Sequence, residues 1–129
     1  MARATEFTLS LEDKPGTLAD VAQALGKAGV NIDGFQGTTI GGEGVVSLVT
    51  NNPDGAKKAL EDAGFKASSR EVLVVKLEDK PGALGTLARA LAQAGVNLNG
   101  GYVTMGGKVV LGVSDMEAAE KVAGDQGAL

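Results

Sequence analysis

Phe7, Leu9 and Leu11 alternate with Thr8 and Ser10, the period-two pattern of a half-buried strand. Glu12-Asp13-Lys14-Pro15-Gly16 breaks the alternation with turn residues. Leu18, Val21, Ala22 and Leu25 then recur at helical spacing, and Gly29 supplies a left-handed stop. Val30–Ile40 returns to an extended pattern interrupted by Gly34 and Gly37, which predicts an irregular or bulged strand. Gly41-Gly42-Glu43-Gly44 reads as a hairpin turn, with Val45–Thr50 as the returning strand. Asn52-Pro53 opens a second helix with stripe Ala56, Ala59, Leu60 and Ala63, which Gly64 ends, and a short strand from Phe65 follows. The order is β-α-β-β-α-β.

The same order then repeats. Leu11–Ile32 and Leu77–Leu98 lie 66 positions apart and agree at fourteen of twenty-two positions. Leu73, Val75 and Leu77 predict the strand, and Leu84, Leu87, Ala88 and Leu91 the helix stripe, with Gly95 as its cap. Val96–Met105 is the irregular strand, Gly106-Gly107 a shorter hairpin, and Val109–Val113 its partner. A last helix begins near Asp115, with Met116, Ala119, Val122 and Ala123 facing inward. Such a long internal repeat fixes the number of units, here two: residues 1–69 and 70–129. Lys66–Glu71 is the only candidate joint. Aligning Gly127 with Gly64 leaves the second copy without most of its fourth strand, which exposes the edge of Val72–Leu77. An open edge invites another strand, so the pattern predicts cover from a partner chain or from Lys66–Glu71 of another subunit. The fold class is α+β, two ferredoxin-like modules with antiparallel sheets and the helices on one face.

Composition narrows the chemistry. Hydrophobic residues make up 43% and charged residues 22%, a globular balance, yet units this small bury little surface alone. Packing of the copies or homo-oligomer formation is the expected remedy. There is no Cys and no His, so the thiolate and imidazole groups of most metal and acid–base sites are missing. No cofactor is called for and the expectation is a protein that is not an enzyme. A net charge of −4 and a single tyrosine argue against nucleic acid. No run reaches transmembrane length and MARATEFTLS has no apolar signal core, so the expected location is cytoplasmic, with no membrane partner.

The repeated loop is the candidate site. Asp13-Lys14-Pro15-Gly16 ends where a helix begins, and unpaired N–H groups there favour an anion such as an amino-acid carboxylate. Asp13 and Asn31 offer oxygens for the ammonium, and Gly16 permits close approach; Asp79, Gly82 and Asn97 are the second set. Proline and glycine between strand and helix are also ordinary turn chemistry, and Asn after a glycine cap is as often a turn residue as a ligand group. On these residues a valine at Gly16 or Gly82 is expected to block binding while sparing the fold.

The pattern strand, D-K-P-G-x-L, amphipathic helix, A-G-V-N resembles the ACT domain, a regulatory amino-acid-binding module, and it covers nearly the whole chain twice. The resemblance implies sheets placed side by side and a small ligand, usually an amino acid, at the interface between domains. It implicates Asp13, Gly16, Thr17, Leu18, Asn31 and Ile32, with Asp79, Gly82, Ala83, Leu84, Asn97 and Leu98. It implies a sensor that regulates a partner enzyme; the rival reading is an interaction module without a ligand that assembles or regulates such an enzyme.

Overall fold

The computed structural model describes residues 3–129, and among these it has six strands and four helices, all strand pairs given below being antiparallel. In chain order they are β1 (Arg3–Glu12), α1 (Thr17–Lys27), β2 (Ile32–Ile40), β3 (Glu43–Thr50), α2 (Pro53–Asp62), β4 (Ala67–Val75), α3 (Ala83–Gln93), β5 (Leu98–Val103), β6 (Val109–Val113) and α4 (Met116–Asp125). The chain is two ferredoxin-like α+β modules in tandem, as expected, but the strand expected from Phe65 and the one expected at Leu73–Leu77 are a single strand, β4.

Two compact units result: Thr5–Arg70, and residues 3–4 with Glu71–Leu129. The division falls inside strands. β1 and β4 each give residues to both units.

In the Thr5–Arg70 unit the strand order is β2-β3-β1-β4. β1 and β3 pair from Glu6↔Val49 to Glu12↔Glu43, and β2 continues the register with Phe35↔Leu48, Gly37↔Val46 and Thr39↔Gly44. The expected irregularity of β2 is a bulge between Ile32 and Gly34. One face of each strand is apolar because side chains alternate, and Phe7, Leu9 and Leu11 pack with Val46 and Leu48 against Val21 and Leu25 of α1 and Ala56, Ala59 and Leu60 of α2. α1 stops where the Val30 N–H donates to Leu25 O at 3.0 Å across Gly29, whose φ is +72°. Arg70 Nε donates to Glu6 Oε1 at 2.8 Å, which partners a carboxylate that is otherwise buried.

In the other unit the order is β1-β4-β6-β5, with Arg3 and Ala4 as the share of β1. Leu73, Val75 and Leu111 face Leu87 and Leu91 of α3 and Ala119 and Ala123 of α4. β5 bulges between Leu98 and Gly100, matching β2. Arg3 reaches α4, its Nε donating to Glu120 Oε1 at 2.8 Å, and a longer contact joins it to Glu71 at 3.4 Å.

The division between the units falls between Arg70 and Glu71, inside the candidate joint Lys66–Glu71, and that segment is strand: Ala67–Glu71 and Val72–Val75 are one element. The edge of β4 that the missing strand would have flanked has neighbours from this chain. Arg3 and Ala4 of β1 stand beside it in this unit, and the Lys76 N–H donates to Ala128 O at 2.8 Å. The alternation missed this because Arg3–Glu6 carries no apolar period, so the strand seemed to begin at Phe7.

Candidate functional site

The two DKPG loops close on themselves in the same way. The Lys14 N–H donates to Glu12 O and the Lys80 N–H to Glu78 O, both at 2.9 Å. Each lysine side chain also turns back on the same glutamate, at 3.0 Å in the first loop and 2.9 Å in the second. The Glu12 carboxylate holds the Lys14 ammonium above its ordinary pKa through that hydrogen bond. Both pairs are solvent-exposed, so they order the loop more than they stabilise the fold. Glutamate and lysine are thus spent on the turn, and Asp13 and Asp79 remain as exposed charges on its rim.

Gly16 and Gly82 occupy the cap positions of α1 and α3 with φ of +95° and +87°, and neither helix has a side-chain cap. The helices outside the repeated loop differ. Asn52 Oδ1 accepts from the Gly55 N–H at 3.0 Å at the start of α2, and Asp115 Oδ1 accepts from the Ala118 N–H at 3.1 Å at the start of α4. The first turns of α1 and α3 therefore lack the side-chain oxygen that the other two helices bring for themselves, although the Ala83 N–H of α3 finds the Lys80 carbonyl.

Thr17 belongs to the loop rather than to open space. Its hydroxyl donates toward Glu12 O at 2.9 Å and Lys14 O at 3.2 Å. The second copy has Ala83 there and closes with an Ala83 N–H donating to Lys80 O at 3.3 Å.

Beside the first loop lies a cavity of about 410 Å³ within the Thr5–Arg70 unit, lined by Asp13, Gly16, Thr17 and Leu18 and by Phe35, Gly37, Thr39, Gly44 and Val46. Phe35, Gly37 and Thr39 share a strand face with Leu48, Val46 and Gly44 because of the β2–β3 register, and α1 stops short of covering them. Leu18 and Phe35 are 43% and 44% exposed on its two sides. In the sequence Gly37 stands out only as a strand interrupter, and Phe35 is not singled out. The available signal was the alternation itself, which puts both on the core-side face once β2 pairs with β3.

Asn31 and Ile32 are elsewhere. β2 begins opposite Thr50 and ends opposite Glu43, while β1 ends opposite Glu43. Asn31 thus lies at the far end of the strands from Asp13, on the order of 20 Å away at about 3.3 Å per residue. Its N–H donates to Asn51 Oδ1 at 2.9 Å, its side-chain amide donates to Asp33 Oδ1 at 2.8 Å, and its carbonyl accepts from the Asn51 N–H at 3.2 Å. Asn97 repeats the backbone ties with Ser114, at 2.9 and 3.0 Å, and precedes Leu98 at the start of β5. Within one unit, no single small molecule spans both the loop residues and these asparagines.

The ACT domain family model matches residues 5–63. Residues 5–63 are an ACT domain. The second copy lies outside that match and carries the same element order. Among curated proteins none matches the sequence. Among solved structures, protein BT0572 from Bacteroides thetaiotaomicron is 25% identical, with 98% of this chain and 90% of that one covered and a TM-score of 0.89. The ligand-free regulatory subunit of aspartate kinase from Thermus thermophilus is 22% identical over 94% of this chain and 87% of that one, with a TM-score of 0.69. That of Thermus flavus is 21% identical over 97% and 92%, with a TM-score of 0.65. At these identities the aspartate kinase likenesses establish the ACT fold. Among the described residues no group of three acidic, Cys or His side chains is placed to hold a metal, and no helix is long and apolar enough to cross a membrane.

Proposed function

We propose that this tandem ACT protein binds a free amino acid at its strand–helix loops and acts as a regulatory sensor for a partner enzyme, without catalysis of its own. One observation carries the reading: only the helices that follow the repeated loop lack a side-chain cap, while α2 and α4 each have one. A carboxylate on the N–H groups after Gly16 or Gly82 would supply the missing acceptor, and Asp13 or Asp79 would receive the ammonium. The regulatory subunits with the same fold support the sensor role, as does a chain with no His or Cys. Thr17, Leu18, Ala83 and Leu84 contribute backbone to these sites. Asn31, Ile32, Asn97 and Leu98 serve the strand entrances in this reading.

The test is a thermal-shift panel of the twenty amino acids. A saturable rise of the unfolding midpoint with one or a few of them is expected, since a ligand at a hundred times its Kd stabilises by about 2.7 kcal/mol. No saturable shift across the panel would leave the rival reading, an interaction module. Exposed apolar residues on the edge strands, Ile40 and Val103, and Met105 in the turn after β5 favour that second reading, and it predicts concentration-dependent assembly with no ligand response.

A further inference from the structure

We infer that the chain has one working ligand groove, in the first copy, and that this groove selects an amino acid with an apolar side chain. The inference rests on the amino-acid reading above and adds which copy binds and what it accepts.

Gly37 is the starting point. Glycine inside a strand weakens it, and is normally kept for a positive φ or a close backbone approach. Gly37 has neither reason. It is not among the positive-φ glycines, and a Cβ on it would meet only Val46 Cγ2 at 3.7 Å and Val45 O at 4.0 Å, ordinary contacts. What the missing side chain does leave is the floor of the 410 Å³ cavity. A destabilising choice that neither fold nor packing requires points to space kept for something else.

The walls say what that is. Leu18 at the start of α1 and Phe35 on β2 stand half-exposed on the cavity, with Leu11 and Val46 below. The charged groups are confined to the loop rim, where Lys14 is already engaged by Glu12 and Asp13 is the charge that remains. An amino acid whose carboxylate meets the α1 N–H groups and whose ammonium meets Asp13 would lay its side chain over Gly37, between Leu18 and Phe35. No charged group is there to satisfy a charged or strongly polar side chain, whose desolvation would be uncompensated.

The second copy has the same loop without the same groove: the cavity of about 260 Å³ beside its loop is lined by Leu77, Lys80, Ala83 and Leu87 with Ala128, and no residue of β5 reaches it. Its register is equivalent, Gly101↔Leu111 and Val103↔Val109 matching Phe35↔Leu48 and Gly37↔Val46. Glycine stands where Phe35 made a wall, and valine stands where Gly37 left the floor open. Val103 is 65% exposed and Met105, in the place of Thr39, is 74% exposed.

The experiment is calorimetry on the full chain with leucine, methionine, phenylalanine, aspartate, lysine and serine, for the parent and for Gly37→Val. The variant copies the residue of the second module, so it should fold, with circular dichroism unchanged and an unfolding midpoint no lower than the parent's. Expected are binding of leucine, methionine or phenylalanine at one per chain, no saturable binding of aspartate or lysine, and at least a tenfold weaker affinity in Gly37→Val. Two equal sites per chain, preference for a charged amino acid, or unchanged affinity in a folded Gly37→Val would overturn the inference while leaving the amino-acid reading standing. If none of these amino acids and none of the remaining panel binds the parent, the amino-acid reading fails and the inference falls with it.

Discussion

Gly16 shows how one residue can carry two constraints that sequence alone runs together. Its φ of +95° puts it in the left-handed region, where a β-branched side chain is strained by roughly 1–2 kcal/mol. A Cβ there would meet nothing within 4 Å, so the room beside it is real as well. A valine at Gly16 therefore disturbs the turn and the helix start together, and its loss of binding would not isolate a ligand contact. The expectation that it spares the fold does not survive this geometry. Gly37 is the cleaner probe because its backbone conformation is open to any residue. A second residue-scale contrast is Phe65 against Ala128. Phe65 packs half-buried on the first core, whereas Ala128 borders a cavity of about 260 Å³ between Leu77, Leu87 and Gly127. Ala128→Phe is expected to raise stability by about 0.5–2 kcal/mol, the usual range for filling a void. Urea unfolding checks it, and a lower midpoint would mean that the cavity cannot take the ring without strain.

At the scale of elements, helix starts are treated in two ways. α2 and α4 begin with Asn52 and Asp115, whose side chains accept from the third residue on. Asn52→Ala should cost about 1 kcal/mol, read as a lower urea midpoint at unchanged slope. Gly55 belongs to that cap, since a Cβ on it would lie 2.6 Å from Asn52 Nδ2 and 3.2 Å from Val30 Cγ2. The usual gain of nearly 1 kcal/mol for replacing a helical glycine by alanine should therefore not appear at Gly55. A Gly55→Ala variant more stable than the parent by that amount would show that the side-chain cap is dispensable. α1 and α3 have no such device to lose, which is why an added carboxylate has somewhere to act.

For the whole molecule, Arg3 ties the first strand to the last helix. The Arg3 guanidinium holds the Glu120 carboxyl below its ordinary value through their hydrogen bond, and Glu120 in turn raises the arginine, which stays charged throughout. A carboxylate lowered in the folded state contributes stability above its unfolded pKa and loses it as pH falls through the folded one. The contribution of Glu120 is thus complete at pH 7 and fades below its ordinary value of 4.5. Glu120→Gln should be less stable than the parent at neutral pH, and the gap should narrow as pH falls below 4.5 and through the lowered folded-state value. Urea midpoints measured from pH 7 to pH 3 on both proteins test this, and a gap that does not change with pH would show that the pair is not the linked group. Protection of the Arg3 and Ala4 amides, measured relative to their intrinsic exchange rates at each pH, should fall with acid in the parent.

Sequence pattern alone determined the order of elements within each copy, the doubling, the left-handed stops at Gly29 and Gly95, and the bulged character of β2 and β5. These are local consequences of residue type: alternation, helical spacing, and the conformations that only glycine adopts readily. The turn chemistry of the DKPG loops was equally legible, since their hydrogen bonds run between residues a few positions apart. Tertiary structure decided the rest. It decided that β4 is one strand serving both units, that Arg3 and Ala4 stand beside it, and that Asn31 lies at the far end of the sheet from Asp13. It also decided that Phe35 and Gly37 join Leu18 at one cavity. Each of these depends on which strand lies beside which and in what register, and register is set by burial summed over a whole face, which no short stretch of sequence contains.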